Sequence, residues 1–175
     1  MSDTPLTGDR IRAYLIETAD LLPSGEPRSI VVVGGSLLAL LGLREATSDV
    51  DSLTHIGEAL GTAASVIAER HDLTPRWLND SAAAFRPRTF DDQACSVMID
   101  HPQLRVLGAP LQQVFLMKLL AARAVDVADL RTIFGESGFD SPAQAAELFY
   151  QAYPHAERDE HLVEFIIRSI GARGP

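Results

Sequence analysis

The chain is short of lysine, cysteine and long apolar runs, and each shortage excludes something. Of 15 basic residues among 175, fourteen are arginine, and Lys118 is the one lysine. One cysteine, Cys95, rules out an internal disulfide framework and fits a reducing compartment, so a cytoplasmic location is expected. Cys95 and the five histidines lack the paired spacing of a zinc site. No stretch reaches membrane-spanning length, and "MSDTPLTGDR" has neither the basic nor the apolar region of a signal peptide. Basic charge is also scarce: 15 basic residues face 24 acidic ones, a formal net charge of −9. A protein that coats phosphate backbones is normally basic, so such a role is disfavoured, while local contact with a nucleic acid stays open.

What is present suits a globular domain, since 46% of residues are hydrophobic. Ile11, Tyr14, Leu15, Ala19 and Leu22 form one helical stripe over residues 8 to 21. "SIVVV", Ser29 to Val33, reads as a buried strand, and "SLLALLG" as a short helix closed by Gly42. "DVDSL" reads as a second strand, with Val50 and Leu53 facing the core. Residues 57 to 70 read as an amphipathic helix. Leu73 to Asp92 shows no legible period. "CSVMID" and "LRVLG" read as short strands joined around His101 and Pro102. Pro110 opens an apolar helix to about Arg123. "SPAQ", Ser141 to Gln144, fits a capping box, and a last helix ends at Gly171. The expected fold is α/β, of the α+β type: a small mixed sheet flanked by helices, with a helical C-terminal part. Residues 1–108 form the core with its N-terminal helix, and 109–175 pack on it as part of one compact unit.

Two features carry chemistry. In "VVVGGS" a strand enters a helix at glycines. Gly34 and Gly35 allow close backbone approach, and N–H groups at a helix start favour an anion such as phosphate. Ser36 adds a hydroxyl or caps the helix. The turn is also an ordinary way to leave a strand, and it is neither a G-x-G-x-x-G nor a P-loop. In "SDVDS", alternate strand residues share a face, so Asp49 and Asp51 point the same way. A divalent cation would relieve their repulsion; a solvated turn is the plainer alternative. One short helix separates the features and returns the carboxylates toward the glycines.

A strand, Gly-Gly-Ser, a helix and D-x-D on the next strand resembles the signature of the DNA polymerase β-like nucleotidyltransferase superfamily. The resemblance implies that Gly35 and Ser36, with Gly34 beside them, contact nucleotide phosphates. It also implies that Asp49 and Asp51 hold magnesium or manganese. Downstream, Lys118, Arg123, Asp126 and Asp129 follow a K-x-x-x-x-R-x-x-D-x-x-D pattern. Arg123, Asp126 and Asp129 can share a helical face, where a surface ion-pair row is the bland reading. The pattern is similar to the second motif of AbiEii/MenT-type nucleotidyltransferases, a group that includes toxins of toxin–antitoxin systems. This second resemblance implies phosphate contact by Lys118, with Arg123 as a further candidate, and acidic residues at or supporting the site.

Asp126 is the candidate for orienting an acceptor hydroxyl or taking its proton. Asp100, ending "SVMID", is the alternative and the candidate third metal carboxylate. The implied activity is transfer of NMP from an NTP to an acceptor hydroxyl. The acceptor is an RNA end, a protein side chain or a small molecule, and an antitoxin is a candidate partner. The alternative is a non-catalytic protein of the same fold that binds a nucleotide or a partner protein. Arg76, Trp77, Arg86 and Arg88 form the one basic–aromatic cluster, suited to base stacking or, more plainly, to a half-buried tryptophan among solvated arginines. His55 follows the second strand and could approach the site, and Arg28 and Arg44 flank the motif and could touch phosphates; an ordinary loop histidine and surface charge are the plainer readings.

Overall fold

Ile30 to Val33 are four buried apolar residues in a row, the pattern of a strand covered on both faces. The computed structural model describes residues 5–121 and 127–171, and the chain is a mixed α/β protein made of two units. The first unit comprises Met1–Ala84 with Ala94–Ala109; the second comprises Phe85–Gln93 with Pro110–Pro175. Phe85–Gln93, from the stretch without a legible period, belongs with the helical unit. Two hydrogen bonds attach it there: the Arg88 N–H donates to Ala152 O at 2.9 Å, and the Tyr153 hydroxyl donates to Phe85 O at 2.7 Å. Burial raises the Tyr153 pKa above its ordinary value.

The first unit runs β1 (Leu6–Thr7), α1 (Gly8–Asp20), β2 (Arg28–Val33), α2 (Gly34–Leu40), β3 (Ala46–Thr47), β4 (Val50–Ser52), α3 (Glu58–His71), β5 (Leu78–Asn79), β6 (Ser96–His101) and β7 (Leu104–Gly108). Five strands form one mixed sheet in the order β5-β4-β2-β7-β6. The central strand β2 lies antiparallel to β4 and parallel to β7. β1 and β3 form a separate antiparallel pair that the hydropathy pattern did not announce, because two residues are too short to show a period. Ser52, rather than Leu53 alone, is buried beside Val50. Its hydroxyl donates to Thr54 O and accepts from the Thr54 N–H, which ends β4, while Thr54 Oγ1 accepts from the Val31 N–H.

Helix α1 starts where Thr7 caps the Arg10 N–H, and it crosses α2 closely at Gly8. A Cβ on Gly8 would lie 2.3 Å from Ala39 O, a backbone atom with little room to yield. Helix α3 packs on α1 and is braced there by charge. Glu17 Oε2 accepts from His71 Nε2 at 2.9 Å and from Arg70 Nη1 at 3.2 Å. The hydrogen bond from His71, then Arg70, holds the Glu17 carboxyl below its ordinary value of 4.5 against an opposing desolvation. The Tyr14 ring lies 4.3 Å from the His71 ring. Trp77 is fully buried; its indole N–H donates to Ala64 O of α3, and its carbonyl accepts from the Val50 N–H.

The second unit carries α4 (Leu111–Ala121), α5 (Val127–Glu136), α6 (Pro142–Ala152) and α7 (Leu162–Ile170). Phe115, Phe134 and Phe139 cluster between α4 and the end of α5, with ring centroids 5.0–5.6 Å apart. Ser141 Oγ accepts from the Gln144 N–H, as a capping box requires. The return bond goes instead from the Asp140 N–H to Gln144 Oε1. Gly171, at φ 72°, closes α7 in the left-handed conformation. Among the described residues, no helix is long and apolar enough to cross a membrane.

Two measurements check this packing. Gly8→Ala should lower stability by about 1–3 kcal/mol, since backbone must move to admit the methyl. Gly61→Ala, inside α3 with only Ile56 Cγ2 at 3.9 Å, should raise it by about 0.5–1 kcal/mol. Urea denaturation of both variants reads the contrast. For the brace, a lowered folded pKa means that the unfolded chain binds more protons on acidification. The Glu17 contribution is therefore present above 4.5 and lost as pH falls through the lower folded value. Wild type should lose stability between about pH 5 and pH 3 more steeply than Glu17→Gln.

Candidate active site at the glycine turn

Strand β2 ends at Val33, and the register between β2 and β4 sets Val33 opposite Asp51. The next residue, Gly34, has φ 63°, a conformation that glycine adopts without steric cost. A Cβ built on Gly34 would lie 3.4 Å from Asp51 Oδ2. The glycine turn and the second aspartate are thus neighbours, as the sequence implied. Asp49 stands just before β4, about 7 Å along the chain from Asp51 in extended backbone, and accepts from the Ser48 hydroxyl at 3.2 Å. Val50 and Ser52 are buried, whereas Asp49 and Asp51 are partly exposed, so the alternation of an extended chain separates core from site.

Gly35 has a different wall. Its Cβ position lies 2.8 Å from Thr47 Oγ1 and 3.2 Å from Arg44 Nη1. Arg44 Nε donates to Ala46 O at 2.8 Å, which folds the guanidinium back over the turn. Arg44 is exposed, as expected, and its guanidinium lies over Gly35. Nothing in composition marks it; the signal is its place in the loop returning from α2 to β4.

Ser36 departs from both roles considered for it. It is 1% exposed, and its hydroxyl donates to Val33 O at 2.8 Å. Its one proton is committed to the turn, so the hydroxyl does not present a donor to phosphate in this arrangement. Val33, not Ser36, occupies the N-cap position of α2.

Asp100 is not brought to the aspartate pair. It lies on edge strand β6, opposite Arg105, whose Nε donates to its Oδ1 at 3.1 Å. Arg105 in turn faces Ser29, four residues before Val33. That offset is about 13 Å along the sheet, and three strand spacings add about 14 Å across it. Level with Ser52 and Val32, the sheet carries Gly108 on β7 and Ser96 on β6, neither of them ionisable. Among the described residues, no group of three or more histidine, cysteine or acidic side chains could hold a metal.

Lys118 is buried in the helical unit. Its Nζ lies 2.8 Å from Asp129 Oδ2, with side chains 8% and 10% exposed, so this is an ion pair linking α4 and α5 and not a snorkelling lysine. Asp129 leaves the surface ion-pair row and becomes the partner of the lysine. Arg123 and Asp126 lie outside the described residues.

The basic–aromatic cluster is not a stacking platform. Trp77 is core in the first unit, and Arg76 donates to the Ser81 hydroxyl. Arg86, in the second unit, pairs with Asp92 and covers the Phe90 ring at 4.4 Å. His55 stands clear of the turn. It pairs with Asp80, which also accepts from the Ile56 N–H; that N–H first, then His55, holds the Asp80 carboxyl below its ordinary 3.8.

Compared with known proteins, the chain matches no family model, no curated protein and no solved structure.

The buried pair gives a direct stability test. Asp129→Ala takes one paired carboxylate from a buried ammonium and should lower stability by up to about 3–5 kcal/mol in urea denaturation. Replacing both members, Lys118→Met with Asp129→Leu, should recover most of that loss.

Proposed function

We propose that the protein is a metal-dependent nucleotidyltransferase that moves NMP from an NTP to an acceptor hydroxyl. The observation that carries this reading is the register that sets the Asp51 carboxylate against Gly34. Phosphoryl chemistry needs an anion cradle and a cation site within reach of each other, and the adjacency of the glycine turn and Asp51 at the end of one strand supports that reading. Backbone N–H groups of the glycine turn would hold triphosphate oxygens, while Asp49 and Asp51 would hold magnesium or manganese. When bound, the metal supplies charge neutralisation for the triphosphate and the leaving pyrophosphate.

The acceptor oxygen forms a bond to the α-phosphorus as the bond to the pyrophosphate oxygen breaks. The acceptor proton passes to a base, a role proposed for Asp126. Asp100, paired with Arg105 at the far end of the sheet, is not assigned to it. Ser36 serves the turn by fixing Val33. Lys118, held by Asp129, is proposed to support nucleotide binding together with Arg123.

A second reading has its own support. On the β7 and β6 side of the sheet, the positions level with the end of β4 are Gly108 and Ser96 and carry no third carboxylate, which favours a protein that binds nucleotide without transferring it.

Incubation with each labelled NTP, magnesium and pooled cellular RNA or protein separates these readings. Transfer of label with pyrophosphate release is expected from wild type, and its loss by about 100-fold or more from the Asp49→Ala, Asp51→Ala double variant. Equal labelling by the two proteins would remove the aspartates from the chemistry. Magnesium-dependent NTP binding without pyrophosphate release selects the non-catalytic reading. The same experiment identifies the acceptor class. Growth arrest on expression, relieved by a co-expressed partner, would support a toxin–antitoxin role.

A further inference from the structure

We infer that Arg12 of α1 closes the one long edge of the five-stranded sheet, and so keeps strand β6 from pairing with β6 of a second copy of this chain. The inference is independent of the nucleotidyltransferase reading.

A sheet edge presents backbone N–H and C=O groups that can template a further strand, so folded proteins shorten, bend, charge or cover their edges. The order β5-β4-β2-β7-β6 gives this sheet two edges. At one, β5 is two residues long, too short to template a strand. At the other, β6 runs for six residues, Ser96 to His101. Its Val97 is 57% exposed, the most exposed large apolar side chain among the described residues.

This edge is bent and covered. The ladder with β7 passes from Val97–Leu107 to Ile99–Val106 and leaves Met98 over as a bulge. The Met98 carbonyl accepts from Arg12 Nη1 at 2.7 Å. Two turns further along the same helix, Asp20 Oδ1 accepts from His101 Nε2 at 3.1 Å. His101 Nδ1 accepts from the Gln103 N–H, so Nε2 carries the proton of that bond. Helix α1 thus meets β6 at two points.

The side chains of β6 do not by themselves forbid a pair. Antiparallel pairing of two copies about Ile99 sets Met98 opposite Asp100 and Val97 opposite His101, so no like charges meet. That ladder needs the Met98 carbonyl as acceptor for the Asp100 N–H of the second copy. Arg12 holds this acceptor with a charged donor, the stronger kind of hydrogen bond.

The test is sedimentation velocity on the full chain from micromolar to millimolar concentration, with circular dichroism recorded for each protein. Arg12→Met keeps the aliphatic stem and a good helix former but has no donor. It should associate about 10-fold or more tightly than wild type, reversibly on dilution. Arg12→Lys keeps one charged donor and should lie between the two. Adding Val97→Lys to Arg12→Met puts a charge on the edge and should restore wild-type association. Arg10→Ala removes another arginine of α1, one that donates to Pro5 O, and should match wild type. Amide hydrogen exchange locates the contact: association should slow exchange at Met98 and Asp100.

Arg12→Met with the association of wild type overturns the inference, and so does association that Val97→Lys leaves unchanged. Association that sets in only where the native circular dichroism is lost also overturns it, since unfolded chain and not the folded edge would then be the cause.

Discussion

Strand β2 is hydrogen-bonded along both edges, and the pairing of Val33 with Asp51 sets what its C-terminal end can do. A slip of one residue between β2 and β4 would exchange the faces of β4. Asp51 would turn into the core that Val50 now fills, and Val50 would meet the glycines. Burying an unpaired carboxylate is costly enough to forbid that slip. The same alternation that secures the hydrophobic core therefore secures the separation of charge at the site. The Ser52–Thr54 bonds end β4 one residue after Asp51, and the Trp77 carbonyl holds its start through the Val50 N–H. The strand is short, and it is pinned at both ends.

Charge is used differently in the two units. In the first, ionic contacts lie at the margins: Glu17 ties α1 to Arg70 and His71 of α3, and Asp20 of α1 meets His101 at the end of β6. Such contacts are solvated and add little individually. In the second unit the Lys118–Asp129 pair is internal. A buried pair contributes little net stability over an apolar replacement, yet it makes each partner indispensable to the other. It fixes α4 against α5 at one register.

Long elements were legible in the sequence because they repeat their period several times. The stripe from Ile11 to Leu22, the run Ile30 to Val33 and the caps at Ser141 and Gly171 all appear where the pattern placed them. The adjacency of Gly34 and Asp51 was legible too, since a short helix between two strands leaves few alternatives. Other features depend on pairing between distant segments. β1 and β3 are two residues each, and β5 follows a tryptophan whose burial no local period reveals. Asp100 looked like a third carboxylate because a strand ends there. Placing it required the strand order, which sets β6 at the sheet edge and pairs Asp100 with Arg105. Arg44 flanks the motif in the sequence, but its place over Gly35 depends on how the loop after α2 returns to β3.

The scarcity of lysine has a practical side. Side-chain ammonium chemistry in this protein is confined to one atom, Lys118 Nζ, and that atom sits beside Asp129. Labelling of lysine with nitrogen-15 at Nζ would therefore yield a single ammonium resonance with no assignment problem. Its chemical shift and proton exchange would report on the junction of α4 and α5. The residue that composition made conspicuous is thus a built-in observer of the helical unit, readable in solution without any added probe.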